Sequence, residues 1–162
     1  MTISTKFGDM DVRFFPDDAP RHVDNFITLT KMGFYNGTNF HRVLPGWLIQ
    51  GGDPLSKNPD RGLHGSGGPG FSINPEVNDR PHKRGALSMG KMPRESNSTR
   101  DNNDSGSQFF ICVQDSNGLD RVYTVFGEVY RGLDVIDKIV AVPRDEYDNP
   151  LEPISMIVTL KE

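Results

Sequence analysis

An arginine and a glutamine stand among apolar residues in the segment 40–53, Phe-His-Arg-Val-Leu-Pro-Gly-Trp-Leu-Ile-Gln-Gly-Gly-Asp. The Pro-Gly pair in its middle predicts two short strands around a tight turn, with Arg42 before the turn and Gln50 after it. A buried arginine is costly unless its charge is compensated. Arg42 therefore has two interpretations: a structural ion pair with a carboxylate such as Asp53, or a cation directed into an apolar pocket. The segment by itself leaves both open.

A second segment, 106–111, reads Gly-Ser-Gln-Phe-Phe-Ile and is typical of a strand. Alternate side chains of a strand share a face, so Gln108 and Phe110 lie on one side. Phe109 and Ile111 lie on the other side. Taken alone, the segment favours a strand that is buried on both faces.

A third segment, 118–127, indicates a turn that leads into a strand. Its tyrosine, Tyr123, fits either a core position or the wall of a cleft, because a tyrosine ring is apolar while its hydroxyl is polar. The pattern does not decide between the two.

The residues that hydrolytic or metal-dependent chemistry requires do not have the necessary spacing. No Gly-x-Ser-x-Gly motif precedes a predicted helix. The single cysteine, Cys112, and the histidines lack the spacing of a zinc site. The acidic run 101–104 lacks the spacing of an EF-hand, and we interpret it as a solvated loop. We therefore predict no metal and no cofactor. The histidines are His22, His41, His64 and His82.

The composition is typical of one globular domain, with 162 residues, 35% hydrophobic and 25% charged. A net charge of −4 argues against nucleic-acid binding. No stretch approaches the ~20 apolar residues of a membrane helix, and the first residues lack the apolar core of a signal peptide. We therefore predict a single domain over residues 1–162, acting as a monomer in the cytoplasm without membrane contact.

The elements that must position these side chains are mostly short strands. Many short strands with turn signals and only two helices favour an antiparallel barrel or sandwich. Residues 52–85 are loop-rich, and the very polar segment 91–106 predicts an exposed, mobile loop. The predicted strands span 3–7, 11–15, two pieces within 39–51, 86–90, 108–113, 122–129 and 154–160, and the predicted helices span 21–32 and 133–140.

The three segments described above contain motifs through which the chain resembles the cyclophilin family, over nearly its whole length. Besides these motifs, the runs Gly67–Gly70 and His82–Gly85 are similar to bacterial members. The resemblance implies an all-β fold, a closed eight-stranded antiparallel barrel capped by two α-helices. It also implies peptidyl-prolyl cis-trans isomerase activity, the rotation of X-Pro bonds in proteins, which assists folding. The motifs that carry it, in this order, are Phe40-His41-Arg42, Gln50-Gly51-Gly52-Asp53, Gly106-Ser107-Gln108-Phe109-Phe110-Ile111 and Val125-Phe126-Gly127.

The resemblance also implies roles for particular residues. By match to the motifs, Arg42 corresponds to the catalytic arginine, with Gln50 beside it. The substrates implied are proline-containing peptides and unfolded or partly folded proteins. The implied proline pocket consists of Trp47, Leu48, Phe110 and Leu119, with Gln108 and Tyr123 beside it and with Gly90, Lys91 and Met92 receiving the residue before proline.

The implied site departs from the family pattern in ways that bear on its ligands. Trp47 stands where a phenylalanine is usual, and Leu48 where a methionine is usual. Tyr123 replaces a histidine, and Gly118 replaces the tryptophan with which some relatives hold cyclosporin. We expect weak cyclosporin binding and an altered sequence preference. The alternative is a non-catalytic module that binds proline peptides on the same fold, against which the retained Arg42 argues.

Overall fold

The computed structural model describes residues 1–91 and 103–161. Within these ranges the chain forms eight strands, two α-helices and three short 3-10 turns. No helix in the described ranges is long and apolar enough to span a membrane. The helices are α1 (Pro20–Lys31) and α2 (Leu133–Val140). The strands are β1 (Thr2–Thr5), β2 (Gly8–Phe14), β3 (Arg42–Leu44), β4 (Leu48–Gly51), β5 (Ala86–Lys91), β6 (Asp104–Cys112), β7 (Val125–Arg131) and β8 (Ile157–Thr159).

All eight strands belong to one antiparallel sheet in the order β3-β4-β6-β5-β7-β2-β1-β8. The two edge strands do not pair with each other in the described ranges. The segments before them meet instead, where Asn39 and Ser155 form an isolated bridge and the Phe40 N–H donates to the Ile154 carbonyl at 3.0 Å. The predicted eight-stranded all-β fold with two helices is confirmed, but the sheet is a curled half-barrel and the word closed overstates it.

The two helices cover the inner face of the sheet, close to where the sequence predicted them. Pro20 occupies the first turn of α1, where its missing N–H leaves no bond unmade. Phe26 of α1 is fully buried, and its ring stacks on Tyr35 with centroids 4.4 Å apart. Gly132 precedes α2 with φ of 90°, and a Cβ there would collide with the Asp9 carbonyl oxygen. A glycine is therefore required at this junction.

Strand β6 is buried along its whole length, and the burial that the sequence predicts over 108–113 is confirmed. Phe109 and Ile111 enter the main core between the sheet and the helices. Phe110 and Cys112 point to the opposite face and belong to a second apolar cluster. The second cluster comprises Leu48, Ala86, Phe110, Cys112 and Val125, with Phe15, Leu44, Leu119 and Tyr123 packed against it.

The prediction of an exposed loop over 91–106 is wrong at its C-terminal end, because β6 begins at Asp104. Asp104 is fully buried, and its Oδ2 lies 2.7 Å from Nε2 of the equally buried His22. The other ring nitrogen of His22 lies 2.6 Å from Glu76 Oε2. Asp104 also pairs with the Ile73 backbone in both directions, at 2.8 and 3.1 Å. Specific partners therefore bury a residue that composition alone assigns to solvent.

We expect Asp104→Ala to lower the free energy of unfolding by about 3 kcal/mol, because it removes one partner of a buried pair and leaves Nε2 of the buried His22 ring without a hydrogen-bond partner, while Glu76 still holds Nδ1. Urea unfolding at pH 7 measures the loss. The matched control is Asp134→Ala, whose side chain is 72% exposed and pairs with Lys138 on the surface of α2. The control should cost less than about 0.5 kcal/mol. Equal effects of the two substitutions would contradict the assigned role of Asp104.

Candidate functional site

The register of the strands places four side chains in one row on the outer face of the sheet. Arg42 of β3 lies opposite Gln50 of β4, and Gln50 lies opposite Phe110 of β6. The row ends with Ser88 of β5, which lies opposite Phe110 on its other side. Residues directly opposed on neighbouring strands share a face and interact. Strand pairing therefore brings a guanidinium, an amide and an aromatic ring together.

A cavity of about 300 Å³ opens on this row, and we call it the row cavity. Nine of the eleven predicted site residues line it. Of the other two, Met92 lies outside the described residues, and Gln108 lies behind Gln50. The catalytic and binding roles of these residues stay predictions. The lining residues are Arg42, Trp47, Leu48, Gln50, Gly90, Lys91, Phe110, Leu119 and Tyr123.

The apolar part of the row cavity has a rigid floor and a more open rim. Phe110 and Leu48 form the floor and are only 4% and 5% exposed. The Tyr123 ring meets Phe110 edge-on, with centroids 5.4 Å apart. Trp47 stands at the rim and is 42% exposed. This surface is suited to hold a small apolar ring through contact and burial without any directional bond.

Arg42 is half-buried, and Asp53 is not its partner. Asp53 is fully buried, where its carboxylate accepts the backbone N–H of Leu55 at 2.8 Å and that of Gly65. The arginine ion pairs within residues 1–91 and 103–161 all involve other arginines. Of the two interpretations that the sequence left open, the geometry therefore favours a cation that faces a cavity.

The two glutamines form a chain of amides behind the row cavity. Gln50 Nε2 donates to Gln108 Oε1 at 3.0 Å. Gln108 Nε2 in turn donates to the carbonyls of Gly65 and Gly67 at 2.9 and 2.8 Å. Gln108 opens onto a separate cavity of about 310 Å³. Its contact with the row cavity thus runs through Gln50, whose amide it orients.

The comparison with family models decides which family has this architecture. The model of the cyclophilin type peptidyl-prolyl cis-trans isomerase/CLD family matches residues 1–161. The chain belongs to the cyclophilin family. This match extends over both edge strands of the half-barrel and over every residue of the row cavity, so the site lies inside the matched region.

Individual relatives show how similar this cyclophilin is to known members. A Helicobacter pylori peptidyl-prolyl cis-trans isomerase is 45% identical over 142 residues, which are 85% of this chain and 78% of that protein. A Synechococcus elongatus protein of the same name is 41% identical, with 86% and 92% covered. A Cryptosporidium parvum cyclophilin, determined in the presence of the dipeptide Ala-Pro, superposes with a TM-score of 0.81 at 28% identity, covering 99% of this chain and 100% of that one.

A hydrogen-bonded group of His82, Ser88 and Asp120 supports Phe110, which forms the floor of the row cavity. The His82 ring stacks under Phe110 with centroids 5.9 Å apart. Its Nδ1 lies 2.9 Å from Asp120 Oδ1, and its Nε2 lies 3.0 Å from Ser88 Oγ. Burial lowers the pKa of His82, although Asp120 partly opposes this shift. The backbone N–H and the ring of His82 hold the pKa of Asp120 below its usual range.

This Ser-His-Asp arrangement is not a catalytic triad of a hydrolase. Ser88 and His82 are fully buried, so neither a peptide nor attacking water has access to the serine. The Ser88 hydroxyl also donates to the Thr124 carbonyl at 3.0 Å. The group instead fixes the ring of Phe110. Sequence reasoning missed this group, although it had singled out the run His82–Gly85 and the pocket residue Leu119, which directly precedes Asp120.

Another buried histidine, His41, neighbours Arg42 and makes the stability of the fold depend on pH. It is 5% exposed, and its Nδ1 has no hydrogen-bond partner among the described residues. Burial lowers the pKa of His41 to about 4, against smaller opposing effects of Asp53 and the Asn39 backbone. An unfolded chain therefore binds a proton at His41 between about pH 6.5 and 4 that the folded chain does not bind.

We expect the free energy of unfolding to fall as pH falls through this window, by about 1.4 kcal/mol per pH unit at most and roughly 3 kcal/mol in all from His41. Urea unfolding at intervals from pH 8 to pH 4.5 measures the slope. His41→Gln keeps a polar side chain but removes the titrating group, so its free energy of unfolding should fall less steeply with pH than that of the wild type. Above pH 7.5 the free energy of unfolding of each protein should be independent of pH. An unchanged slope in His41→Gln would contradict the assignment.

Proposed function

We propose that this cyclophilin is a peptidyl-prolyl cis-trans isomerase that rotates X-Pro peptide bonds in peptide and protein substrates. The observation that carries the proposal is the Arg42 guanidinium, which borders the apolar floor of the row cavity and has no carboxylate partner in the described residues. Membership of the family supports it, as do the names of the relatives.

The reaction determines what a catalyst must supply. Conjugation between the imide nitrogen and the carbonyl gives the X-Pro bond a barrier of ~18–20 kcal/mol, and uncatalysed exchange takes tens to hundreds of seconds. No covalent bond forms or breaks. The transition state is twisted, so its nitrogen is pyramidal and more basic than in the planar ground state. A donor aimed at that nitrogen therefore binds the transition state more strongly.

Arg42 is suited to be this donor. A guanidinium is charged at every physiological pH and holds its N–H groups in a rigid fork. In a half-buried position beside an apolar floor its field is less screened than in water, and it needs little reorganisation during the reaction. Gln50 lies opposite Arg42 in the sheet and has its own orientation fixed by Gln108. We assign to Gln50 the positioning of Arg42 or of the substrate carbonyl.

The remaining residues hold the two sides of the rotating bond. Phe110 and Leu48 provide the surface for the proline ring, with Trp47 and Leu119 beside it. Gly90 and Lys91, at the end of β5, lie on the opposite wall and receive the residue that precedes proline. A Cβ at Gly90 would lie 3.0 Å from the Gln108 carbonyl oxygen, so a side chain there would crowd the strand.

We expect Arg42→Ala to lower kcat/KM about a hundredfold or more, comparable to the loss of one transition-state donor in other enzymes. Arg42→Lys keeps the charge but not the forked N–H groups, so its kcat/KM should lie between those of the wild type and Arg42→Ala. A protease-coupled or NMR exchange assay on an Ala-Pro peptide measures the rates. Arg13→Ala is the control, because Arg13 pairs with Glu128 on the surface. Equally slow wild type and Arg42→Ala would favour the non-catalytic binding module.

The finer expectations on partners and location are proposals that rest on the family and on composition. We propose that the substrates include unfolded or partly folded proteins, that the chain assists their folding, and that it acts in the cytoplasm as a monomer. We also propose that it forms one domain.

The buried Cys112 takes no part in the proposed catalysis, because burial raises the pKa of its thiol to about 12 and so keeps it protonated at physiological pH.

We further propose weak cyclosporin binding, because Gly118 offers no side chain where some relatives use a tryptophan. Gly118 lies in the turn Asn117–Leu119 beside the row cavity. Its backbone is not in the left-handed region, and a Cβ at this position would have no atom within 4 Å, so a side chain can be accommodated. We expect Gly118→Trp to fold normally and to bind cyclosporin about tenfold more tightly through the added aromatic contact. Calorimetric titration measures both affinities. Tight binding by the wild type would contradict the proposal.

A further inference from the structure

A second and larger cavity, of about 660 Å³, lies on the other side of Arg42 and Gln50. We call it the outer cavity. These two residues line both cavities, so a peptide in the row cavity has a direct path into the outer one. None of the β5 residues lines it. Its lining residues are His41, Arg42, Gln50, Arg61, Gly62, His64, Gly65, Asp145, Tyr147 and Asn149.

Arg61 spans the outer cavity and ties its two loops together. It belongs to the 3-10 turn Arg61–Leu63, and its Nη2 donates to the carbonyls of Asn149 and Pro150 at 3.1 and 2.8 Å. Its Nε and Nη2 also donate to Asp145 Oδ2 at 3.3 and 3.1 Å. These bonds use one edge of the guanidinium, and Nη1 is in none of them.

Asp145, the one acidic side chain among the described lining residues, is already fully engaged. Its Oδ2 accepts hydrogen bonds from Nε and Nη2 of Arg61, while its Oδ1 accepts hydrogen bonds from the backbone N–H groups of Tyr147 and Asn149 at 2.8 and 3.1 Å. Although partial burial opposes it, these bonds hold the pKa of Asp145 below its usual range. The carboxylate is therefore charged, and its charge is matched locally by Arg61.

The charge that remains in the outer cavity is positive. Arg42 forms no ion pair with a carboxylate in the described ranges, and Nη1 of Arg61 is available for a further bond. The ring of His64 is used on both sides, at 2.8 Å from the Asn58 carbonyl and 2.9 Å from Asn149 Nδ2. The cavity thus has surplus cationic donors and a saturated carboxylate, so its chemical complement is a carboxylate from elsewhere.

The direction of the sheet indicates which part of a substrate would enter. Along the row, β5 is at one end and β3 at the other, with β4 and β6 between them. The residue before proline is assigned to Gly90 and Lys91 on β5. A peptide that continues past the proline therefore leaves over β3 and Arg42, where the outer cavity opens.

We propose that the outer cavity selects an acidic side chain, aspartate or glutamate, in the first two residues after the substrate proline. The proposal rests on the proposed isomerase function and adds a substrate preference to it. The selecting charges are Arg61 and the outer side of Arg42, and Asp145 tunes them.

Matched peptides test the preference. They carry Ala-Pro followed by glutamate or glutamine, at the first or the second position after proline. We expect kcat/KM for one glutamate peptide to exceed that of its glutamine partner about fivefold at low salt, and the ratio to fall towards one at high salt. Equal rates for both pairs at low salt would overturn the proposal.

Two variants that break the same ion pair separate charge from structural damage. Arg61→Gln leaves Asp145 uncompensated, so the glutamate-to-glutamine ratio should fall below that of the wild type. Asp145→Asn leaves Arg61 uncompensated, so the ratio should rise. Damage to the shared loop contacts would move both ratios in the same direction. A shift in the same direction, or none, would overturn the proposal.

Calorimetric titration of the same peptides separates this proposal from the proposed function. If wild type turns over neither peptide but still binds the glutamate peptide more tightly, with the opposite shifts in the two variants, the isomerase function fails and the selectivity stands. If both peptides are turned over and bound alike, the function stands and the selectivity fails.

Discussion

The pleat of strand β6 is the constraint on which the rest of the structure depends. Both faces of β6 are covered, so its side chains must satisfy two apolar environments in strict alternation. Phe109 and Ile111 fill the space under the helices, which forces Phe110 outward. A slip of one residue would send Phe110 into the core and remove the floor of the row cavity. The core and the site are therefore fixed by the same register.

The open edge of the half-barrel explains why the charge stands where it does. Among the strands of residues 1–91 and 103–161, β3 is an edge strand that pairs with β4 alone, so no described strand lies on the outer side of Arg42. Its guanidinium stays half-exposed and accessible from two cavities. In a fully closed barrel a further strand would flank this position, and an arginine there would need a partner for its charge. The departure from closure is thus linked to the chemistry that the site offers.

The sequence predicted the features that depend on short-range patterns. The helix periodicity around Phe26, the terminal hairpin and the two-sided burial of β6 from Gln108 onward all follow from neighbours in the chain. The fold class and the residues of the row cavity came from ordered motifs that resemble a known family, and the structure places nine of the eleven in one cavity. The half-barrel could not be told from a closed barrel, because closure depends on how far the sheet curls.

What the sequence could not predict depends on pairs that are distant along the chain. Asp104 looked exposed because its neighbours are polar, but its partner His22 lies 82 residues away. The support of Phe110 by His82 and Asp120 spans 38 residues and has no motif of its own. Gln108 shares a face with Phe110, yet it lines a different cavity. Alternation gives the face of a side chain but not its neighbours.

The central claim is that the register of three strands presents the Arg42 guanidinium to a prolyl nitrogen held over Phe110. The most direct test is a crystal structure of the protein with a bound X-Pro peptide, in which the distance from Arg42 to the prolyl nitrogen is measured. We expect the proline ring on Phe110 and a guanidinium nitrogen within about 3.5 Å of the prolyl nitrogen, close to hydrogen-bond reach. A proline ring bound elsewhere, or an Arg42 side chain turned away towards Asp53, would contradict the account.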